Sequence, residues 1–281
     1  VATPSSFKSR VRQRLSRAPL RYLARPLFDA LVGVELAVLR GLGRTEPPNR
    51  QALARVTAII KTFERPKLLQ RLLDSLALQF PGLNVIVADD SREPRSWPGV
   101  RTIPLPFDSG VSAGRQAALE AVQTELTWVL DDDFVVFAGT RLDEVLCALA
   151  DYPELDLVGG SVLDLPLFSR RGSPRDLVYP TPRAPRLPLG TRLGRVEICD
   201  KVPNFFVART RKLLEVGWDA RLKRVEHGDF FTRARGVLVS GFLPRFCCLH
   251  AQAPFDLDYM RHRDDHAADE AVLRARHFPD D

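Results

Sequence analysis

Three consecutive carboxylates, Asp131, Asp132 and Asp133, stand between the apolar runs "TWVL" and "FVVF". Adjacent charges of one sign repel, so the cluster needs either open water or a positive partner. An acidic turn would meet the first condition. The immediate return to apolar residues at Phe134 favours the second, because it pins the charges between two segments that seek the core. A second pair, Asp89 and Asp90, ends the apolar run "NVIVA". Carboxylates one residue apart at a strand end suit a hard divalent cation that keeps several waters and also touches phosphate oxygens. A nucleoside diphosphate is a poor leaving group until its charge is neutralised, and a bound ion supplies that. The phosphates would not lie in a glycine cradle, since neither G-x-x-x-x-G-K-[ST] nor G-x-G-x-x-G occurs. They need a basic side chain, and Arg115 in "SAGRQ" is well placed for it.

The elements that must position these groups alternate in type. "RVTAIIKTF", Arg55 to Phe63, reads as a strand, and the leucines of "ERPKLLQRLLDSLALQF" recur at helical spacing with Pro66 in the first turn. Strands over "LNVIVADDS" and Val100 to Ile103 follow, then a glycine turn and helix in "FDSGVSAGRQAALEAV". A strand from Thr127 to Leu130 carries the triple Asp, and a helix spans Arg141 to Ala150. This alternation predicts an α/β fold with a mostly parallel sheet and covering helices. In such sheets ligands bind outside the carboxyl ends of the strands, which brings the two acidic clusters near one another. Residues 168–195 are rich in Pro and Arg and lack periodicity, which predicts a long loop on the rim of the cleft. Order returns with strands in "VEICDK" and Phe205 to Ala208, a helix from Arg211, a short helix in "RVEHGDFFTRARG" and strands in "VLVSGFLPRFCCLHA". The tail from Pro254 is polar and is expected to wrap the surface.

The net charge of +6 is concentrated at one end. Residues 1–50 hold ten Lys and Arg against three Asp and Glu, leaving 31 basic and 32 acidic groups for the rest. A near-neutral body argues against a nucleic-acid partner. The basic segment mixes Arg with Leu, Val and Phe at roughly helical spacing. Its most apolar part, Leu27 to Leu42, is shorter than the ~20 residues of a bilayer span and contains Asp29 and Glu35. A peripheral contact of residues 1–45 with an anionic membrane surface fits this pattern, as does packing on the body or on another subunit. The four cysteines (147, 199, 247 and 248) show neither C-x-x-C spacing nor a disulfide framework, which suits a reducing compartment.

In order along the chain, "TAIIKTFERP", "VIVADDS", "GVSAGRQAALEAV", "WVLDDDFVVF" and "HGDFF" cover about residues 55–252. This set resembles nucleotide-sugar glycosyltransferases of the GT-A fold, family-2 type. Within that class it is most similar to the β-1,4-N-acetylgalactosaminyltransferases that build ganglioside-type sugars. The resemblance implies a Rossmann-like GT-A domain over 55–252, a basic helical segment over 1–54 and a C-terminal tail over 253–281. It implies an inverting transfer from a UDP-sugar, first of all GalNAc, to a hydroxyl of a glycan, glycolipid or polysaccharide, with Mn²⁺ or Mg²⁺. Thr62 and Phe63 would line the uridine pocket, Asp89 would accept from the uracil N3–H, and Arg115 would hold the nucleotide or its phosphates. Asp131 or Asp132 would contact ribose or donor sugar, while Asp133 and His250 would ligate the metal. Asp229 would be the general base. It departs from the pattern, for the relatives carry Glu before the paired Phe. Animal members sit behind a membrane anchor in the Golgi. This chain is expected instead at the cytoplasmic face of a membrane, or in the Golgi lumen if an upstream anchor was removed. A nucleotidyltransferase would use similar carboxylates but should carry a glycine-rich basic loop where "KTFERP" stands. A catalytically inactive nucleotide-sugar-binding module is the other alternative.

Overall fold

The structure is a computed structural model that describes residues 20–41, 43, 48–170, 177–263 and 266–278. Helices α1 (Leu20–Gly41) and α2 (Arg50–Leu53) precede β1 (Val56–Thr62), α3 (Pro66–Gln79), β2 (Asn84–Asp89), β3 (Arg101–Pro104) and α4 (Val111–Glu120). Then come β4 (Leu126–Asp131), β5 (Phe134–Val135), α5 (Leu142–Asp151), β6 (Leu157–Asp164), β7 (Ser169–Arg170), β8 (Arg192–Leu193) and β9 (Val196–Ile198). The chain continues through β10 (Phe206–Arg209), α6 (Thr210–Val216), α7 (Glu226–Ala234), β11 (Ser240–His250), α8 (Leu257–Arg263) and α9 (Ala267–His277).

One sheet runs in the order β3-β2-β1-β4-β10-β6-β11-β9-β8. Strands β3, β2, β1 and β4 are parallel, as are β6 and β11, while β10 is antiparallel to both its neighbours. The chain leaves β1 toward β2 on one side and returns to β4 on the other, so a crevice opens where the direction reverses. Side chains alternate across the sheet. Ala58, Ile60, Trp128 and Leu130 join the leucines of α3 and α5, and Ile59, Ile86 and Val129 meet α4, α6 and α7 on the other face. Strands covered on both faces read as continuous apolar runs, which is why "TAII" and "TWVL" lack polar alternation. Trp128 is fully buried with the rings of Phe80, Phe205 and Phe246 within 6 Å. Truncating such a residue to Ala costs roughly 3–5 kcal/mol.

Two glycines in "LVGG" let β6 approach its neighbours. A Cβ on Gly160 would lie 2.0 Å from the Phe246 carbonyl oxygen, where β11 bulges between Phe242 and Cys247. That bulge brings His250 into register with Asp164.

One expectation changes. The tail does not simply wrap the surface. Helix α8 lines the crevice through Tyr259 and His262, and the buried Asp269 carboxylate of α9 accepts from the N–H groups of Lys223, Arg224 and Val225 just before α7. A polar sequence can build such a lid because charge-assisted hydrogen bonds replace apolar burial. Of the basic segment, α1 packs against the body, one of the placements its pattern allowed, and the short α2 follows, while residues 1–19, 42 and 44–47 lie outside the described residues. Val32 and Leu36 of α1 pack on Val135, Leu165, Leu249 and Ala251. Leu27, Leu31, Val34 and Val38, also at helical spacing, stay exposed. Among the described residues no helix is long and apolar enough to cross a membrane.

Candidate active site

The sheet register sets the site. Lys61 pairs with Asp131 across β1 and β4, and Thr62 pairs with Asp89 across β1 and β2. A cleft of about 610 Å³ opens beyond these strand ends, within the range of small-molecule sites. The three adjacent carboxylates divide between two arginines. Arg65, just ahead of α3, binds Asp132 and also Asp133, the latter at 2.9 Å, and its guanidinium lies 4.0 Å from the Tyr259 ring centre. Asp131 turns the other way and meets Arg115. Thr62 Oγ1 donates to Asp132 Oδ2 at 2.8 Å. Burial raises the Asp132 carboxyl, and Arg65 opposes this, leaving it at about 6. Burial also pushes the Lys61 ammonium down, partly offset by Asp90 at 2.8 Å.

His250 closes the far side of the carboxylate turn. Its Nε2 lies 3.3 Å from Asp133 Oδ2, and its Nδ1 meets Asp164 Oδ1 at 2.7 Å. An imidazole oriented by a carboxylate behind it, with a second carboxylate in front, is the donor chemistry of a divalent-cation site. Among the described residues no group of three or more His, Cys, Asp or Glu is placed to hold an ion. Asp133 and His250 would offer an ion two protein donors, the remaining places falling to phosphate and water.

Phe63 and His262 line the cleft with their rings edge to face at 5.0 Å, and Phe107 packs against both from outside the lining. Three residues take places other than those their sequence context implied. Asp89 points away from the large cleft. Its two oxygens accept from the N–H groups of Ser91 (2.9 Å) and Arg95 (3.1 Å), which shapes the loop after β2. Asp89 and Thr62 line a smaller pocket of about 270 Å³ beside it. Arg115 is buried and bound to Asp131 and Glu226, so it braces the cleft wall instead of offering a cation to phosphate.

Asp229 shows the largest departure. It is fully buried and does not line the cleft. Its Oδ2 accepts from Arg233 Nε at 2.8 Å, while Oδ1 meets Arg276 Nη1 at 2.7 Å and His277 Nε2 at 3.0 Å. Burial alone would raise its carboxyl, but the hydrogen bonds from Arg233 and Arg276 hold it below the usual carboxylate range. It locks α9 to α7.

The wall opposite the strand ends carries Asn204, Glu226 and His227. Asn204 sits between Arg115 and His227. A guanidinium can only donate, so the amide oxygen faces Arg115 Nη2 (3.1 Å) and the amide nitrogen faces His227 Nδ1 (2.5 Å). The imidazole proton is then on Nε2. Burial and the charges of Arg115 and Lys201 lower the His227 pKa to about 3, so the ring is neutral.

Arg65 had a signal in "KTFERP", and Glu226 had one in its acidic i, i+3 spacing to Asp229. Tyr259 and His262 had none, because short polar helices carry no periodic apolar pattern.

A Rossmann-like sheet with paired acidic strand ends, an aromatic cleft wall and an oriented Asp–His pair defines a GT-A fold of the nucleotide-sugar glycosyltransferase class. Residues 57–217 match the sequence model of Glycosyl transferase family 2, and the chain belongs to that family. It is 39% identical over 201 residues to human "Beta-1,4 N-acetylgalactosaminyltransferase 1", covering 67% of this chain and 37% of that protein. It is 37% identical over 208 residues to mouse "Beta-1,4 N-acetylgalactosaminyltransferase 2", covering 70% and 39%. The chain thus spans less than half the length of these relatives. The fold matches Staphylococcus aureus TarS 1-349 in complex with UDP-GlcNAc at a TM-score of 0.53 and 18% identity, over 69% of this chain and 57% of that one. The complex of TarS with UDP matches at 0.52 and 20% identity, over 79% and 66%.

Proposed function

We propose that the protein is an inverting, metal-dependent glycosyltransferase that moves a sugar from a UDP-sugar to a hydroxyl of a glycan, glycolipid or polysaccharide. GalNAc is the first candidate, given the names of the relatives. One observation carries the reading. The Asp131–Asp133 turn, His250 backed by Asp164, and the edge-to-face Phe63–His262 pair meet in one cleft at the strand ends. In this reading the uracil lies against the Phe63 ring. Asp133 and His250 would hold Mn²⁺ or Mg²⁺, which when bound neutralises charge on the diphosphate. Arg65 must then share or release Asp133. Asp131, held by Arg115, faces the ribose or donor sugar. The α8 lid, through Tyr259 and His262, keeps water from the donor.

The protein works, in the same reading, at an anionic membrane surface. Among the described residues eleven large apolar side chains are exposed, and six of them (Leu27, Leu31, Val34, Val38, Leu167 and Phe168) belong to α1 and the turn beside it. The Leu167 N–H donates to Glu35 Oε1 at 2.7 Å, which holds that turn against α1. Such a patch next to a basic N-terminal segment suits lipid.

Proton NMR of UDP-GalNAc hydrolysis tests the central reaction. Inversion predicts the β anomer as the first hemiacetal released. Release of the α anomer first contradicts inversion, and turnover of a GDP- or CMP-sugar in preference to every UDP-sugar contradicts the donor.

A further inference from the structure

A single displacement needs a group that removes the acceptor's proton, and with Asp131 given to the donor sugar or ribose in the reading above, the cleft leaves one other open carboxylate. Asp229 is excluded by burial and by Arg233, Arg276 and His277, which occupy both its oxygens. Asp108 is held by Arg224 at 2.7 Å, and Asp132 and Asp133 are held by Arg65. His227 offers an N–H to the cleft, since its lone-pair nitrogen is taken by Asn204. Glu226 is different. It lies one turn before Asp229 on α7, lines the cleft and gives Oε1 to Arg115 Nη1. Its Oε2 has no hydrogen-bond partner among the described residues and is open to the cleft.

Arg115 also fixes where that oxygen sits. One guanidinium bridges Asp131 at the end of β4 and Glu226 at the start of α7. It thereby ties the donor edge of the cleft to the opposite wall, with one carboxylate presented from each. The bridge is buried on the arginine side, so its geometry is stiff.

We infer that Glu226 is the catalytic base, and that Asp229 locks the C-terminal helix to α7. The inference rests on the UDP-sugar reading above. The acceptor hydroxyl gives its proton to Glu226 Oε2 as its oxygen bonds to the anomeric carbon. The bond from that carbon to the diphosphate oxygen breaks, and its electron pair leaves on UDP. The proton on Glu226 then returns to solvent. His227 Nε2–H, next in the chain, can donate to the attacking oxygen's other lone pair and so aim it.

Azide separates a missing base from a damaged site, because an anionic nucleophile has no proton to lose. The full chain and its Glu226→Gln, Glu226→Asp, Asp131→Asn and Asp229→Asn variants are given UDP-GalNAc in water and in sodium azide. Glu226→Gln should lose hydrolysis at least ~100-fold, the usual worth of a positioned base. Its formation of glycosyl azide and its affinity for UDP should stay near wild type. Glu226→Asp keeps the ion pair to Arg115 and draws the carboxylate back, for a loss of ~10- to 100-fold. Hydrolysis by both Glu226 variants at the wild-type rate overturns the assignment. So does azide-rescued loss confined to Asp131→Asn or Asp229→Asn. If wild type binds no UDP at all, the donor reading fails first, a result distinct from either.

Discussion

Replacing Asp229 by Asn should unsettle the fold more than the chemistry. The carboxylate is fully buried and meets Arg233, Arg276 and His277. Removing one partner of a buried ion pair costs about 3–5 kcal/mol. Asn keeps an acceptor oxygen, and the two arginines are each 25% exposed, so water recovers part of the loss. An expected cost of about 2–3 kcal/mol remains, or roughly 5 °C in Tm for a chain of this size. The pH dependence has a definite sign. The folded carboxyl lies below its ordinary value. Its stabilisation is therefore complete above the unfolded pKa of about 4 and lost as pH falls through the folded value. The gap between wild type and variant should narrow below about pH 4. Urea titrations at pH 7 and pH 3.5, with UDP-GalNAc hydrolysis at pH 7, measure all three quantities. A variant with wild-type stability and a kcat reduced more than ~100-fold would restore Asp229 as the base.

Gly160→Ala should destabilise by about 2–3 kcal/mol because its methyl meets the Phe246 carbonyl, whereas Gly33→Ala, with open space on helix α1, should stabilise by about 0.5–1 kcal/mol; thermal melts compare them. The His227 imidazole should remain neutral at pH 5, with its proton on Nε2, in ¹⁵N NMR; protonation near pH 6.5 would contradict the contacts with Asn204 and Arg115. A Leu31→Glu, Val34→Glu double variant should float with anionic liposomes at least ~10-fold less than wild type while its Tm is unchanged, since both side chains are exposed.

The parallel half of the sheet was legible because its strands are buried on both faces and its helices carry a clean apolar stripe. Asp133 and His250, far apart in sequence, meet because β11 pairs with β5 and β6. The division of labour among the acidic residues was not legible. Nothing in "VEHGDFF" says which carboxylate faces the cleft, because Glu226 and Asp229 stand only about 60° apart around helix α7 and the partners that separate their roles come from α4 and α9. Asp89 and Asp90 were equally ambiguous. The loop after β2 uses Asp89 for its own backbone, while Asp90 accepts from Gly110 at 2.8 Å and meets Lys61. The tail escaped notice because its anchors are ion pairs and backbone hydrogen bonds, which leave no periodic mark on a sequence.

The most direct test of the account is calorimetric titration of UDP-GalNAc into wild type and Asp133→Asn, each with and without Mn²⁺. Binding should strengthen with Mn²⁺ in wild type and lose at least ~10-fold of that gain in the variant. Binding equal in both proteins, or no binding with or without the ion, would contradict it.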